Sequence, residues 1–362
     1  MRQLFNCALL LLAMLVPGHY AMAQDTLHMQ ELGQMSRHAA EALGLGNYTD
    51  AITTYKLAIK LAPGNKQLYK ELGKAFYRAG RYAEAEETLK PLIGQKGTSP
   101  DPDTYAQLAA AQIAQKKLRD AKTTTQDALK IFKFSGGLHQ RLAQVYTLER
   151  KPEEALNALL DGLDGDPTCA PCYYDAATIY LDNGSPAWGL IYGEMYFGLR
   201  RDTTGDQLLK TKLFAGYKAL FENIAGDKVP VYGKTDAAAA PTDFITTVQK
   251  VYTKLAPVVS DGITTENLTM LRTRFLMDWF SNWNAKYPFS LFTYQDERIR
   301  NGYFDVYNEW LFGLADNTTE YNAWNTFHPG DIDRFLDWNR THRLIPSMLQ
   351  KYNTRDMSFL KK

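Results

Sequence analysis

The chain has 362 residues, with 41 lysines and arginines against 40 aspartates and glutamates, and 45% of it is hydrophobic. That balance excludes a disordered or collagen-like chain and leaves material for about two domains. A formal net charge of +1 gives no global electrostatic case for nucleic acid or an anionic membrane surface, so neither is expected as a partner.

The chain opens like a secretory signal over residues 1–23. Arg2 supplies a positive start, Leu4 to Val16 is almost wholly apolar, Pro17 and Gly18 break it, and Ala21-Met22-Ala23 offers small residues for cleavage. The apolar run is too short for a comfortable membrane span, and an uncleaved anchor is the alternative. Cleavage removes Cys7 and leaves only Cys169 and Cys172. No later apolar run reaches about 18 residues, so no transmembrane segment is expected in the mature chain. The style of the signal points to a bacterium, and so to export across the inner membrane into the periplasm.

A repeat follows. A small residue recurs with another twelve positions on: Ala39 with Ala51, Gly73 with Ala85, Ala109 with Ala121, Ala143 with Ala155, and Ala177 with Gly189. Successive pairs lie 34, 36, 34 and 34 residues apart. Leu72, Leu108 and Leu142 precede the first small residue, and Phe76, Tyr146 and Tyr180 follow it by three. Gly46, Gly80 and Gly184 fall between the two helices of a pair, and Pro63 and Pro167 close their repeats. Two helices cross closely only where side chains are small, and larger residues three and four away fill the flanks. Glycine ends the first helix at a positive φ, and proline cannot continue the second.

This pattern resembles the tetratricopeptide repeat (TPR) family, with about five repeats over residues 30–201. It departs from the family's usual pattern at Met35 and His38 in repeat one, and at Gly189 and Gly193 in repeat five. A terminal repeat is expected to deviate, because it must cap the stack or dock onto something else. Residues 202–224 hold apolar Leu208, Leu209, Leu213, Tyr217, Leu220 and Phe221 at helical spacing, as a capping helix would. The resemblance implies an all-α TPR superhelix with a concave groove that binds a protein or peptide. Carried onto this chain, its groove-facing positions include Lys70, Lys74, Tyr77 and Arg78 in repeat two, Gln140 and Gln144 in repeat four, and Tyr174 in repeat five. The basic cluster in repeat two suits a carboxylate; a solvated helix face is the plainer alternative.

Residues 225–242 read as a linker, with Gly226, Pro230, Gly233, Pro241 and an alanine run. Beyond it, residues 243–362 read as a second, aromatic-rich helical domain. Helical period marks Asp243–Leu255, Glu266–Lys286 with Thr265 as N-cap, Leu291–Gly313, and Ile332–His342 followed by Ile345–Tyr352. The run from Gly302 to Gly313 looks similar to the tails of secreted bacterial TPR proteins. Phe304, Tyr307 and Leu311 are spaced as a core stripe. The same aromatics, interleaved with Asn282, Asn284, Asn308, Asn322 and Asn325, would also make a platform for glycan.

Chemistry is sparse. Cys169-Ala170-Pro171-Cys172 at the start of a helix reads as a local disulfide in an oxidising compartment. Unpaired thiols and a redox pair are the alternatives, the last opposed by the lack of a preceding strand. No metal-ligand spacing, P-loop, GxGxxG or GxSxG occurs, so no metal, cofactor or catalytic residue is assigned. Glu194, Asp296, Glu297, Asp331, Asp333 and Asp337 are the carboxylates an unrecognised hydrolase would draw on. The expected function is a non-catalytic protein- or peptide-binding adaptor of the cell envelope. An envelope glycan-binding module and an enzyme are the alternatives.

Overall fold

The computed structural model describes residues 29–93, 101–200, 206–228, 243–348, 352 and 360. The signal-like segment and most of the expected linker lie outside them. Among the described residues the chain is all-α, with no strand. Its contacts divide it into two units, residues 1–128 and 129–362.

The first unit is built of helix pairs. α1 (residues 29–44) precedes α2 (Tyr48–Leu61), α3 (Lys66–Arg78) precedes α4 (Tyr82–Leu89), and α5 (Pro102–Ala114) precedes α6 (Leu118–Ile131), whose last residues cross into the second unit. The ends follow local chemistry. Asn65 caps α3 by accepting from the Gln67 N–H (3.1 Å), and Asp101 caps α5 through Thr104 (3.0 Å) ahead of Pro102. Ala39, Ala51, Gly73, Ala85, Ala109 and Ala121 are all buried where paired helices meet. A Cβ on Gly73 would stand 2.6 Å from Leu89, so the closeness of α3 and α4 rests on its absence. Buried Glu86 accepts from Gln112 (3.3 Å), Gln115 (2.8 Å) and Lys117 (2.7 Å), tying α4 to the following pair.

The second unit continues the pairing with α7 (Gly136–Leu148), α8 (Pro152–Gly165), α9 (Ala170–Asp182) and α10 (Pro186–Leu199). Between the helices of each pair, in both units, one residue adopts the left-handed conformation: Gly46, Gly80, Lys116, Arg150 and Gly184, with φ of 82°, 75°, 61°, 59° and 78°. The glycines stand where the sequence places them; Lys116 and Arg150 hold the same register without glycine's freedom.

α10 is buried from Pro186 to Gly198 on every side. Its neighbours explain this: α9, α11 (Gln207–Ala225), α12 (Asp243–Leu255) and α14 (Ser290–Arg300) all pack on it. Gly189 and Gly193 are required by that packing, since a Cβ at either would stand 2.5 Å from Leu181 or Leu213. α11 buries Leu209, Leu213, Tyr217, Leu220 and Phe221. α13 (Thr265–Asn282), α15 (Phe304–Asn308), a π-helical turn (Glu309–Gly313), α16 (Leu314–Asp316), α17 (Thr318–Phe327) and α18 (Asp331–Thr341) complete the unit.

Several elements differ from the sequence reading, among them the helix expected to run to Lys286, which ends at Asn282. α13 starts one residue earlier, because Thr264 and Asn267 form a reciprocal capping box. The single helix expected over 291–313 is broken after Arg300, where Gly302 takes φ 72°. α17 was not foreseen; Asn317 caps it by accepting from Thr319 (3.0 Å) and Glu320 (3.3 Å). Residues 343–348, expected in part to be helical, are not, as suits Pro346.

Candidate functional site

On α3, Lys70, Lys74, Tyr77 and Arg78 follow one another at steps of four, three and one, which brings all four to one side of the helix. Their surroundings differ. The Lys70 ammonium already lies 3.0 Å from Asp101 and 3.5 Å from Asp103, and its side chain is 16% exposed. Burial works against its charge, but the Asp101 and Asp103 carboxylates raise its pKa above the ordinary value. Lys70 is therefore a brace between α3 and the start of α5. Lys74 is exposed, 3.9 Å from Glu71, and Arg78 is exposed with no ion-pair partner among the described residues. Tyr77 is half-buried with its ring 5.4 Å from Tyr82. Lys74, Tyr77 and Arg78 thus remain available to a ligand: two cations beside an aromatic face.

The three other groove residues lie on the second unit. Gln140 is buried and donates to Asp175 (2.6 Å), and Gln144 accepts from Arg141 (2.9 Å). Burial pushes the Asp175 carboxyl up, opposed by the hydrogen bond from Gln140 and the charge of Arg141. Half-buried Tyr174 meets Tyr196 edge-on at 5.2 Å, and Tyr196 donates to Asp206 (2.7 Å). Gln140 and Gln144 are thereby gathered around one half-buried carboxylate. The seven groove residues fall into these two sets, one on each unit. A concavity of about 680 Å³ on the first unit, between Ile59, Tyr69, Leu72 and Leu92, is lined by none of the seven.

Cys169 and Cys172 are joined in a disulfide and are almost fully buried. Gly136 makes room for it: a Cβ there would stand 2.6 Å from the Cys169 Cβ and 2.9 Å from its sulfur. A disulfide so enclosed fits a staple better than a redox centre, which needs an accessible sulfur.

Glu194, a carboxylate the hydrolase reading would draw on, is 4% exposed and fully engaged. It pairs with Arg272 and accepts from Gln295 (2.5 Å), Tyr307 (3.1 Å) and Tyr217 (3.4 Å). Arg272 also donates to Asn308, and rings of Phe304 and Phe312 lie 5.2 Å from its guanidinium. Burial opposes the Arg272 charge; Glu194 and the tyrosines hold its pKa above the ordinary value all the same. This is a buried junction of five helices. Most of the aromatic crowd has gone the same way: Phe289, Phe292, Tyr294, Phe304, Tyr307, Trp310 and Phe312 are buried, as a core stripe is, while Tyr287 and Tyr303 are half-buried. Among the described residues no group of three or more histidine, cysteine or carboxylate side chains is placed to hold a metal ion. No described helix is long and apolar enough to cross a membrane.

The family model of the tetratricopeptide repeat matches residues 42–102, the span of α2 to α4 and their flanks. The fold is a tetratricopeptide repeat fold. Solved structures of TPR proteins are similar at low identity. A thermophilic TPR protein of Thermus thermophilus is 20% identical, with a TM-score of 0.44 over 51% of this chain and 98% of its own. MamA is 21% identical, with a TM-score of 0.35 over 44% of this chain and 92% of its own. YrrB, described as a TPR protein with an unusual peptide-binding site, is 16% identical, with a TM-score of 0.34 over 51% of this chain and 90% of its own. A TPR fold suggests a scaffold for protein–protein interaction.

Sequence reasoning did not find the pairing of Asp101 and Asp103 with Lys70: Asp101 signals only a helix cap, and Asp103, expected to face a groove, sits in the first turn of α5. Nor did it find an aromatic cavity on the second unit, whose walls come from four separated segments.

Proposed function

We propose that this chain is a non-catalytic adaptor of a bacterial cell envelope, and that its TPR helices hold a segment of another protein. The carrying observation is the α3 face, where exposed Lys74 and Arg78 flank the half-buried Tyr77 ring. A ligand that suits this face is a peptide with an acidic side chain or terminal carboxylate and an apolar residue to lie on the ring. Burial of Glu194 and of most aromatics supports the adaptor reading over a hydrolase built on that carboxylate or a glycan platform. Export rests on the signal-like N-terminus, and the disulfide is compatible with an oxidising compartment.

Site-directed photocrosslinking tests the face. A benzophenone side chain at Lys74 should trap one host protein in intact cells, while the same group at Lys90, exposed at the end of α4, should not. Equal trapping at both positions, or none at Lys74, would remove the α3 face from the proposal.

A further inference from the structure

We propose that a trough on the second unit, between the outer side of α13 and the segment from α15 to α17, docks a basic, amphipathic segment of a partner protein. This surface is separate from the α3 face, which suits an acidic peptide, and either proposal stands if the other fails.

Three observations converge. The first is shape. Glu266, Thr269, Met270, Thr273 and Met277 line the trough from one side of α13, while Leu268, Leu271, Phe275 and Trp279 bury the other. Asp305 of α15, Glu309 of the π-helical turn and Trp324 of α17 form the opposite wall. α17 buries none of its residues, and Tyr321 seats it over Gly313, where a Cβ would meet the ring. The trough has about 660 Å³ of room and shares Glu266, Glu309 and Trp324 with a neighbouring hollow of about 370 Å³. From Glu266 to Met277 it follows the helix for about 16 Å, or three turns. That is the length of a chain segment.

The second is apolar surface. Met270 is 43% exposed and Met277 65%. Half-buried Trp324 lines both hollows, and its ring stacks on His328 at 4.4 Å. Methionine side chains adapt to differing apolar partners, and tryptophan is a favoured anchor.

The third is charge. Glu266, Asp305, Glu309, Asp316 and Glu320 line the two hollows, against Arg274 as the one lining cation. Asp316 accepts from the Thr265 N–H (2.6 Å) and hydroxyl (3.0 Å). The other four carboxylates have no hydrogen bond or ion pair among the described residues. Burial and the charges of Asp316 and Glu320 raise the Glu309 pKa, opposed by His328, so a cation brought to this wall relieves repulsion. No three of the described carboxylates are placed to hold a metal ion, so their complement is several cations strung along a chain. A segment with lysine or arginine on one side and apolar residues on the other matches both the charge and the apolar surface.

The test is fluorescence anisotropy of a labelled peptide of leucine and lysine in amphipathic helical order, about 14 residues or four turns long, titrated with the full chain. Its counterpart with glutamine for lysine is the uncharged control. The lysine peptide should bind at one site, and the glutamine peptide about ten-fold more weakly. Glu266→Lys/Asp305→Lys should weaken the lysine peptide about ten-fold or more, and Met270→Ser/Met277→Ser about five-fold. Glu222→Lys/Asp333→Lys makes the same change in net charge at exposed carboxylates outside the trough, and should keep affinity within about two-fold. All six substituted residues are exposed, and melting curves check that each variant folds. Equal affinity for the two peptides would make this a plain apolar face and overturn the proposal. Equal weakening by the two charge-reversed variants would reduce it to the field of the whole chain. Binding unmoved by the methionine variant, or no saturable binding up to about 1 mM, would overturn it as well. So would a parent chain that sediments as a dimer and a methionine variant that does not, since a second copy would then cover the trough.

Discussion

At the scale of single residues, the turns within the helix pairs show what the repeat demands. Lys116 and Arg150 occupy left-handed positions that glycine fills in three other turns. Each turn is closed in the same way: the Gly80 N–H donates to Tyr77 (3.0 Å) and the Arg81 N–H to Phe76 (2.9 Å), as the Arg150 N–H does to Thr147 (3.0 Å) and the Lys151 N–H to Tyr146 (2.9 Å). A side chain there costs about 1–2 kcal/mol, partly offset by glycine's greater unfolded-state entropy. Arg150→Gly should therefore raise stability by about 0.5–1 kcal/mol, and Gly80→Ala should lower it by about 1 kcal/mol. Urea unfolding of the two variants checks both signs. Lys210 makes a second prediction. Burial lowers its pKa from 10.5 to about 7, opposed only by the charge of Asp206, while its ammonium donates to the Trp310 carbonyl (2.8 Å) and sits 3.4 Å from the indole centroid. A lysine whose folded pKa is depressed is protonated more readily when unfolded. Its cost is complete below about pH 7, and stability rises with pH between about 7 and 10.5 as the folded form loses its proton first. Unfolding free energy measured from pH 6.5 to 9.5 should rise more steeply in the parent than in Lys210→Met. Parallel profiles would show that Lys210 does not titrate in this window.

At the scale of elements, the last repeat is joined to the helices after it through one buried ion pair. Glu194 comes from α10, Arg272 from α13, and their hydrogen-bond partners from α11, α14 and α15. Removing one partner leaves a buried charge unpaired, at a cost of about 3–5 kcal/mol. Glu194→Gln and Arg272→Leu should each lower stability by roughly that amount, and the double variant should lose clearly less than their sum. Additive losses in a double-mutant cycle would show that the pair is not coupled. The helix pairs were legible in the sequence because one constraint, a small residue at each crossing, recurs with fixed spacing. The second half has no such recurrence. The capping box at Thr264 moved a boundary by one residue. Gly302 broke a helix whose apolar spacing ran on through it, and α17 buries none of its residues, so it left no apolar stripe to read. The groove residues were legible as positions but not as states: spacing puts Lys70 on the α3 face, yet only the structure brings Asp101 and Asp103 to its ammonium.

At the scale of the whole molecule, the two units divide the work that the account assigns. The first presents exposed cations beside an aromatic ring on a repeat helix. The second buries Glu194 and most of its aromatics in a core. Its Cys169–Cys172 disulfide, packed against Gly136 and almost fully buried, adds a local staple. The central claim is that the α3 face captures a protein. The most direct measurement is a paired affinity capture from the envelope of the host, with the parent chain and Lys74→Ala/Arg78→Ala as baits, quantified by mass spectrometry. Both substituted residues are exposed, so the variant should melt within about 0.5 kcal/mol of the parent. The account predicts one stoichiometric partner, depleted about ten-fold or more on the substituted bait. The same partner at the same yield on both baits would contradict it.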